Sequence, residues 1–283
     1  MPDAFHALEE TVTRDVTRAL AEDVGAGDLT AALIPGERAS RARLMTREDG
    51  VLCGVEWFNR TFEELDPDVE IFWHHEDGDD IVAESSLCEL EGRSRAILTG
   101  ERTALNFVQM LSGVATRTRQ FVQAIEGTRA RILDTRKTLP GLRMAQKYAV
   151  ATGGGMNHRI GLYDGILIKE NHIVAAGGLA NAVRDARHSV PEGTMLQVEV
   201  ETLEQLREAL DAGAKLVLLD NFDLAMMRQA VRVAGERAEL EASGGVSLET
   251  VRAIAETGVH RISVGSLTKD VKALDLSMRF LHH

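Results

Sequence analysis

The sequence predicts an α/β protein with a closed or nearly closed (β/α) barrel and a smaller N-terminal α+β domain. At 283 residues the chain exceeds a typical single domain but fits one barrel plus an appendage. After Arg129, short apolar runs alternate with helix-like stretches, which indicates parallel strands joined by helices. No Gly-x-Gly-x-x-Gly pattern follows the first run, so the sequence favours a barrel over a Rossmann sheet.

The first part of the chain predicts the smaller domain. Apolar positions at helical spacing predict a helix over about residues 6–21, followed by a Gly/Asp-rich turn. Strand-like runs at residues 43–46 and 94–98 lie on either side of a predicted helix from Val55 to Leu65. Residues 101–125 then show one continuous apolar face at helical spacing, which predicts a long helix.

Six apolar runs predict the strands of the barrel. They are residues 131–134, 165–168, 195–200, 216–219, 240–242 and 261–264, with helical patterns such as 203–212 and 248–257 between them. Barrel chemistry lies where strands end and the following loops begin. The first polar groups after the runs are Thr135, Arg136, Lys137, Lys169, Glu199, Asp220, Ser243, Gly244, Gly245, Gly265 and Ser266.

The charge distribution indicates the type of ligand. The chain carries a net charge of −12, yet the segment from Arg129 to His172 holds eight Lys/Arg against three acids. This local reversal predicts a focused site for a small, multiply charged anion. The acidic balance elsewhere argues against nucleic acid and anionic membranes as partners.

The remaining composition predicts a cytoplasmic, core-forming protein. No apolar run approaches the length of a membrane span, and the polar N-terminus lacks a secretory signal pattern. Cys53 and Cys88 are far apart, so we expect buried free thiols rather than zinc or redox chemistry. The closing His282 and His283 are either native or a cloning remnant and carry no part of the argument.

Two glycine turns end the last two predicted strands. Ser243-Gly244-Gly245 and Val264-Gly265-Ser266 each let backbone N–H groups approach an anion closely, and loops after the last barrel strands often bind phosphate. Taken singly, each turn could equally just reverse the chain. Their occurrence at both final strands favours a phosphate site.

Glu199 and Asp220 end two successive strands, which predicts neighbouring carboxylates at the mouth of the barrel. They could hold Mg²⁺ or ribose hydroxyl groups, since few oxygen ligands suit Mg²⁺ shared with a phosphate. The alternative is one solvated acid and one ion-pair partner for Lys169. Lys169 itself could be a Schiff-base nucleophile or a fixed cation.

A second basic group follows a run of three glycines. His158 and Arg159 come after Gly153-Gly154-Gly155, a flexible turn that could fold over a ligand. A lone histidine there would usually be a surface residue. Arg136 and Lys137 change that expectation, because so many like charges are costly unless an anion neutralises them.

The motifs together resemble the quinolinate phosphoribosyltransferase family, also named nicotinate-nucleotide pyrophosphorylase. The resemblance covers nearly the whole chain. It rests on residues 22–23 and 27–30, Gly100 to Asn106, Asp134 to Thr138, Gly153 to Arg159, Leu167 to His172, Glu199, Leu219 to Asn221, Ala242 to Gly245 and Ser263 to Leu267. Motifs of this length, in order, are far more specific than any single pattern.

The resemblance implies a decarboxylating phosphoribosyl transfer in de novo NAD synthesis. Quinolinate and phosphoribosyl pyrophosphate would give nicotinate mononucleotide, pyrophosphate and CO₂. It also implies an N-terminal α/β sandwich domain over residues 1–112, an open α/β barrel over 113–269, and a tail from about 270 to 283 that packs on the first domain. Family members form homodimers or hexamers, with the arginine matching Arg102 donated to the neighbouring subunit's site.

The resemblance also implies roles for individual residues. Arg102, Arg136, His158 and Arg159 would surround the quinolinate carboxylates, with Thr135, Lys137 and Lys169 beside them and near the diphosphate. Glu199 and Asp220 would lie near ribose and Mg²⁺, and the turns Ser243–Gly245 and Val264–Ser266 would bind the 5′-phosphate. Two alternatives remain open: an aldolase-like barrel with a Lys169 Schiff base, and a non-catalytic sensor of phosphate ligands.

Overall fold

The computed structural model describes residues 2–191 and 193–281. The strands are β1 (Ala39–Thr46), β2 (Gly50–Val51), β3 (Glu70–Trp73), β4 (Asp80–Ile81), β5 (Ser86–Arg93), β6 (Arg131–Leu133), β7 (Gly165–Ile168), β8 (Met195–Val200), β9 (Leu216–Asp220), β10 (Glu239–Ser243), β11 (Arg261–Ser263) and β12 (Leu276–Leu281). The helices are α1 (Pro2–Asp23), α2 (Val55–Leu65), α3 (Ser94–Ala124), α4 (Arg143–Thr152), α5 (Glu170–Ala175), α6 (Leu179–Ser189), α7 (Leu203–Asp211), α8 (Leu224–Ala234), α9 (Leu248–Ala255) and α10 (Ser266–Lys269).

The chain divides into two compact units. Unit 1 contains the described residues of Met1–Arg117, Leu139–Gly153 and Asp270–His283, and unit 2 contains Thr118–Thr138 and Gly154–Lys269. Unit 1 therefore includes α4, which lies within the predicted 113–269 domain. Among the described residues, no helix is long and apolar enough to cross a bilayer.

An antiparallel sheet with the order β12-β1-β5-β3 forms the centre of unit 1. β12 pairs with β1 along its whole length, so the C-terminal strand completes the sheet of the N-terminal region. The segment before β12 packs on α3, where the Leu274 N–H donates to the Gln109 carbonyl at 2.9 Å. His282 and His283 lie outside the described residues.

Aromatic and polar contacts tie α4 to the rest of unit 1. The ring centroids of Trp57 on α2 and Tyr148 on α4 lie 5.4 Å apart. The Tyr148 hydroxyl donates to Asp77 at 2.8 Å. Asp77 also accepts the N–H groups of Gly54 and Val55 at the start of α2. These contacts satisfy backbone donors that every helix start leaves open, so one carboxylate links two helices.

The predicted strand at residues 94–98 is wrong, because these residues form the first turns of α3. The Ser94 hydroxyl donates to the Arg38 carbonyl at 2.8 Å, which anchors the start of the helix to the chain preceding β1. Ile97 is fully buried and lies at helical spacing from Ala104 and Leu105. A short apolar run cannot by itself separate a strand from a buried helical segment.

Unit 2 is built on a six-stranded parallel sheet with the order β6-β11-β10-β9-β8-β7. β6 and β7 are its two edge strands, which agrees with an open rather than a closed barrel. All six predicted strands occur within one residue of their expected ends. The fold class is confirmed: an open parallel α/β barrel and a separate, smaller α/β unit.

We predict that Gly113→Ala destabilises the protein by about 3 kcal/mol, since overpacking a well-packed contact costs on the order of 1–3 kcal/mol. A Cβ at Gly113 would lie 2.1 Å from the backbone carbonyl oxygen of Lys272, which cannot move without shifting the segment before β12. Urea unfolding measures the change. Gly36→Ala is the control, because a Cβ there meets nothing within 4 Å. Equal stability of the two variants would contradict this packing.

Candidate active site

Strand register brings polar side chains to one face of the parallel sheet. Glu199 on β8 is paired with Leu218 on β9, and Leu218 is paired with Glu241 on β10. Because side chains alternate along a strand, Asp220 and Ser243 lie on this same face. The opposite face carries buried apolar residues such as Val217. Glu199 and Asp220 are thus diagonal neighbours at the carboxyl ends of adjacent strands.

The interior of the barrel contains a buried polar cluster that sequence reasoning missed. Gln197 and Glu241 are both fully buried. Gln197 donates from Nε2 to Glu241 Oε2 at 3.0 Å, and its Oε1 lies 2.8 Å from His158 Nε2. Neither residue follows the end of an apolar run. Each lies within a strand, so only the alternation of side chains across the folded sheet could have indicated it.

His158 is held from three directions. Its backbone N–H donates to the buried carboxylate of Asp134 at 2.8 Å. Its ring Nδ1 accepts the N–H of Arg159 at 2.8 Å, and its Nε2 faces Gln197. The side chain is only 9% exposed. A lone histidine after a glycine turn is usually a surface residue. His158 is instead an ordered part of the barrel.

Arg136 and Arg159 line one cavity of about 530 Å³, together with Lys169. Burial and then the neighbouring Arg136 charge lower the pKa of the Arg159 guanidinium, while Asp164 acts in the opposite direction. Arg159 Nη1 donates to the Gly165 carbonyl at 2.9 Å, which fixes the side chain against β7. Two guanidinium groups close enough to repel each other form a natural receptor for carboxylates.

The loop that carries Arg159 is shaped by Asp164. This carboxylate accepts the backbone N–H groups of Ile160 at 2.7 Å and Gly161 at 2.8 Å. Its neighbours Leu162 and Tyr163 are 75% and 82% exposed. The loop therefore has a fixed base and an apolar, solvent-facing tip.

Lys169 and Glu199 form an ion pair across the mouth, with Nζ 3.0 Å from Oε2. The Lys169 side chain is 51% exposed and that of Glu199 is 16% exposed. This agrees with the interpretation of Glu199 as an ion-pair partner, which the sequence left open. Asp220 ends β9 and accepts a hydrogen bond from the amide of Asn221 at 3.0 Å.

The first glycine turn depends on Asn221. Gly244 and Gly245 have positive φ angles of 107° and 60°, a region that favours glycine. A Cβ at Gly244 would lie 2.2 Å from Asn221 Oδ1, and the Asn221 N–H donates to the Ser243 carbonyl. Asn221 thus connects Asp220 to the turn, a role that sequence reasoning did not assign to it.

The second turn lies against the Asp134–Thr138 cluster. A Cβ at Gly265 would lie 3.2 Å from Lys137 Cδ and 3.7 Å from Thr135 Oγ1. The Thr268 hydroxyl donates to the Lys137 carbonyl at 2.8 Å. Ser266 begins α10, while the Val264 side chain is fully buried and leaves only its backbone for a ligand. The structure therefore brings Thr135 and Lys137 beside this turn.

Half of the basic stretch does not follow the carboxyl ends of the parallel strands. Arg129 and Arg131 lie at the amino end of β6, where Arg129 donates to the Gly258 carbonyl. Arg143 and Lys147 belong to α4 in unit 1. Of the basic residues in this stretch, Arg136, Arg159 and Lys169 line the cavity in unit 2, and Lys137 lies beside Gly265.

Arg102 belongs to unit 1 and is exposed on α3. Within residues 2–191 and 193–281 its guanidinium makes no hydrogen bond or ion pair. The remaining predicted site residues all lie in unit 2.

The donor set for a metal ion is small. No cluster of three or more His, Cys, Asp or Glu side chains suited to a metal occurs in the part of the chain that the structure describes. Glu199 and Asp220 remain as two carboxylates on one face of adjacent strands. This set fits Mg²⁺, which usually takes one or two protein carboxylates and completes its shell with water and substrate phosphates.

Comparison with known proteins gives the same picture over both halves of the chain. Residues 28–112 match the family description "Quinolinate phosphoribosyl transferase, N-terminal domain", and residues 114–279 match the corresponding C-terminal domain. A probable nicotinate-nucleotide pyrophosphorylase [carboxylating] of Bacillus subtilis is 45% identical over 257 residues, which cover 91% of this chain and 89% of that protein.

Solved structures agree with the sequence comparison. The nicotinate-nucleotide pyrophosphorylase of Francisella tularensis superimposes with a TM-score of 0.94 at 46% identity, over 96% of this chain and 97% of that one. The enzyme of the same name from Ehrlichia chaffeensis gives 0.90 at 36% identity, over 94% and 97%. With both family domains matched in order and a site rich in anion-binding groups, the chain belongs to the quinolinate phosphoribosyltransferase family.

Proposed function

We infer that the protein is a decarboxylating quinolinate phosphoribosyltransferase of de novo NAD synthesis. It joins quinolinate to phosphoribosyl pyrophosphate and releases nicotinate mononucleotide, pyrophosphate and CO₂. The observation that carries this inference is the cavity lined by Arg136, Arg159 and Lys169, in a protein whose net charge is −12. A dianionic substrate neutralises cations that otherwise repel one another.

The guanidinium pair is proposed to hold the quinolinate carboxylates. Arginine presents a planar fork of N–H donors that matches a carboxylate in two parallel hydrogen bonds. His158 stands next to Arg159 and is proposed to complete this side of the pocket. Holding both carboxylates would orient the ring nitrogen toward the ribose, which lowers the entropy cost of the reaction.

The opposite side of the mouth is proposed to hold phosphoribosyl pyrophosphate. The turns Ser243–Gly245 and Val264–Ser266 would receive the 5′-phosphate through backbone N–H groups. Thr135 and Lys137, which lie beside Gly265, would contact the phosphate groups. Lys169 would face the diphosphate, since its amine is half exposed at the strand end.

Glu199 and Asp220 are proposed to hold Mg²⁺ and the ribose hydroxyl groups. When bound, this ion would neutralise charge on the diphosphate leaving group. The carboxylates themselves would stabilise positive charge that develops at the anomeric carbon as the diphosphate leaves. Asn221 would keep Asp220 in place through its amide hydrogen bond.

The reaction needs positioning more than proton transfer. The ring nitrogen of quinolinate attacks the anomeric carbon, and the C–O bond to pyrophosphate breaks. The nitrogen becomes a pyridinium, which accepts the electron pair of the adjacent C–C bond when CO₂ leaves. A proton from solvent then replaces the lost carboxylate. Neutralisation by arginine would favour binding of the dianion, and partial burial of the departing carboxylate would favour the loss of CO₂.

The aldolase alternative fits the site less well. A Schiff-base lysine must lose its proton, usually through burial in an apolar pocket or a neighbouring cation. Lys169 is instead half exposed and forms an ion pair with the Glu199 carboxylate at 3.0 Å. These contacts suit a fixed cation.

The active assembly is proposed to be a homodimer or a hexamer that shares sites between subunits. Arg102 supports this idea, because it is an exposed arginine on α3 that is followed directly by the buried Thr103 and Ala104. We further propose a cytoplasmic location. Cys53 and Cys88 are both free and buried, as expected in a reducing compartment.

We predict product formation from quinolinate, phosphoribosyl pyrophosphate and Mg²⁺, with nicotinate mononucleotide and CO₂ appearing in equal amounts. Chromatography and trapping of labelled CO₂ measure the two products. A parallel reaction contains nicotinate in place of quinolinate. Product from nicotinate alone would contradict the decarboxylating activity, and binding without turnover would favour a sensor.

We predict that Arg136→Lys raises the KM for quinolinate at least about tenfold, because a paired carboxylate loses one of two charge-assisted hydrogen bonds. The charge stays the same, so the change reports on geometry. Arg131→Lys is the control, since Arg131 lies in the same basic stretch but at the amino end of β6. Unchanged quinolinate kinetics in Arg136→Lys would remove Arg136 from the carboxylate site.

We predict that an Arg102→Ala subunit and a Lys169→Ala subunit complement each other. Each variant alone should be inactive. A mixed dimer should regain one complete site, which takes Lys169 from one subunit and Arg102 from the other. Steady-state assays after mixing and reassociation measure the recovery. No recovered activity would show that Arg102 serves its own subunit.

A further inference from the structure

A hydrogen-bond network of buried polar groups runs from β10 to the loop that carries Arg159. Glu241 and Gln197 are fully buried and joined by a hydrogen bond of 3.0 Å. Gln197 Oε1 reaches His158 Nε2 at 2.8 Å, and His158 Nδ1 accepts the N–H of Arg159 at 2.8 Å. Glu241 Oε1 has no hydrogen-bond partner among the described residues and lies 3.6 Å from His158 Nε2.

The donors and acceptors in this network fix the direction of each hydrogen bond. Gln197 presents its Nε2 amide group to Glu241, whose carboxylate accepts the hydrogen bond. The Gln197 carbonyl then faces His158, whose Nε2 must carry a proton to donate to it. With that proton on Nε2, a neutral ring leaves Nδ1 as an acceptor. The backbone N–H of Arg159 fills this position.

We propose that Glu241 and Gln197 are positioning residues that hold His158 in the Nε2–H tautomer and thereby fix the backbone of Arg159 beside the substrate. The arrangement gives Arg159 two anchors. One is its backbone N–H on His158, and the other is its Nη1 on the Gly165 carbonyl. The guanidinium is then held before the substrate arrives, which reduces the entropy cost of binding.

Stability alone does not account for these residues. A buried charge carries a large desolvation cost, and apolar side chains of similar volume would fill the same space at no net cost or with a gain. Among the described residues, the Glu241 side chain accepts one hydrogen bond, from Gln197, to offset this cost. Metal-binding histidines are oriented in a comparable way by a carboxylate behind them. Here the oriented group is the loop that holds Arg159.

The test is the tautomer of His158, read by ¹⁵N NMR of histidine-labelled protein at mildly alkaline pH. The chain contains nine histidines, so the His158 signals are assigned by their loss in His158→Gln. We expect the wild-type ring to carry its proton on Nε2. In Glu241→Gln the new amide can both donate and accept, so Gln197 can reverse and His158 should populate both tautomers.

Glu239→Gln is the matched control. Glu239 lies on the same strand and face, but its side chain is 52% exposed and pairs with Arg261 rather than His158. This control should keep the wild-type tautomer. If Glu241→Gln fails to fold, the double variant Gln197→Leu with Glu241→Leu replaces both partners by apolar groups, a change that is often tolerated. In this double variant, too, His158 should populate both tautomers.

Kinetics provide the second readout, which rests on the proposed role of Arg159 in binding quinolinate. A carboxylate held equally in ground and transition states affects KM and not kcat. We expect Glu241→Gln to raise the KM for quinolinate about tenfold, the effect of one lost hydrogen bond, with kcat within about twofold. The control should change neither constant.

Three results would overturn the proposal. The first is a wild-type His158 ring that is protonated on Nδ1. The second is a His158 ring that stays entirely in the Nε2–H tautomer in Glu241→Gln or in the double variant. The third is an unchanged KM for quinolinate in a variant whose His158 populates both tautomers. The wild-type measurement does not depend on whether Glu241→Gln folds, so it decides the hydrogen-bond direction in every case. An inactive wild-type protein with the expected tautomers would instead contradict the assigned reaction.

Discussion

The register of the parallel sheet is the constraint on which the site depends. Pairing of β8 with β9 and of β9 with β10 places Glu199, Asp220 and Ser243 on one face, at the carboxyl ends of their strands. A slip of one residue would turn these groups toward the apolar layer and bring Val200 and Leu219 to the mouth. Binding groups and core residues are therefore specified by the same hydrogen-bond ladder.

Electrostatics explain why the site holds few free charges. Lys169 is paired with Glu199, and Asp164 opposes the mutual repulsion of Arg136 and Arg159. Arg136 and Arg159 line one cavity together with Lys169. In a protein with a net charge of −12, such a local group of cations favours a small anion over a polyanion, which the acidic surface repels.

The barrel interior is polar where an apolar filling would be more stable. Glu241, Gln197 and His158 replace layers of branched aliphatic residues that usually fill such barrels. The turn after β10 also requires glycine at position 244, because a Cβ there would collide with Asn221. Both features exchange stability for a fixed local geometry, a common relation at functional sites.

Sequence alone determined the six parallel strands, half of the helices and the family of this protein. Apolar runs and motifs are local, so the six parallel strands, α2, and the residues Arg136, Lys169 and Asp220 could be read directly from the chain. Tertiary structure decided what depends on distant contacts. It made residues 94–98 helical, placed α4 in unit 1, and put Arg129 and Arg131 at the amino end of β6. It also revealed Gln197, Asn221 and Glu241, because which side chains meet across strands is set by register and not by sequence spacing.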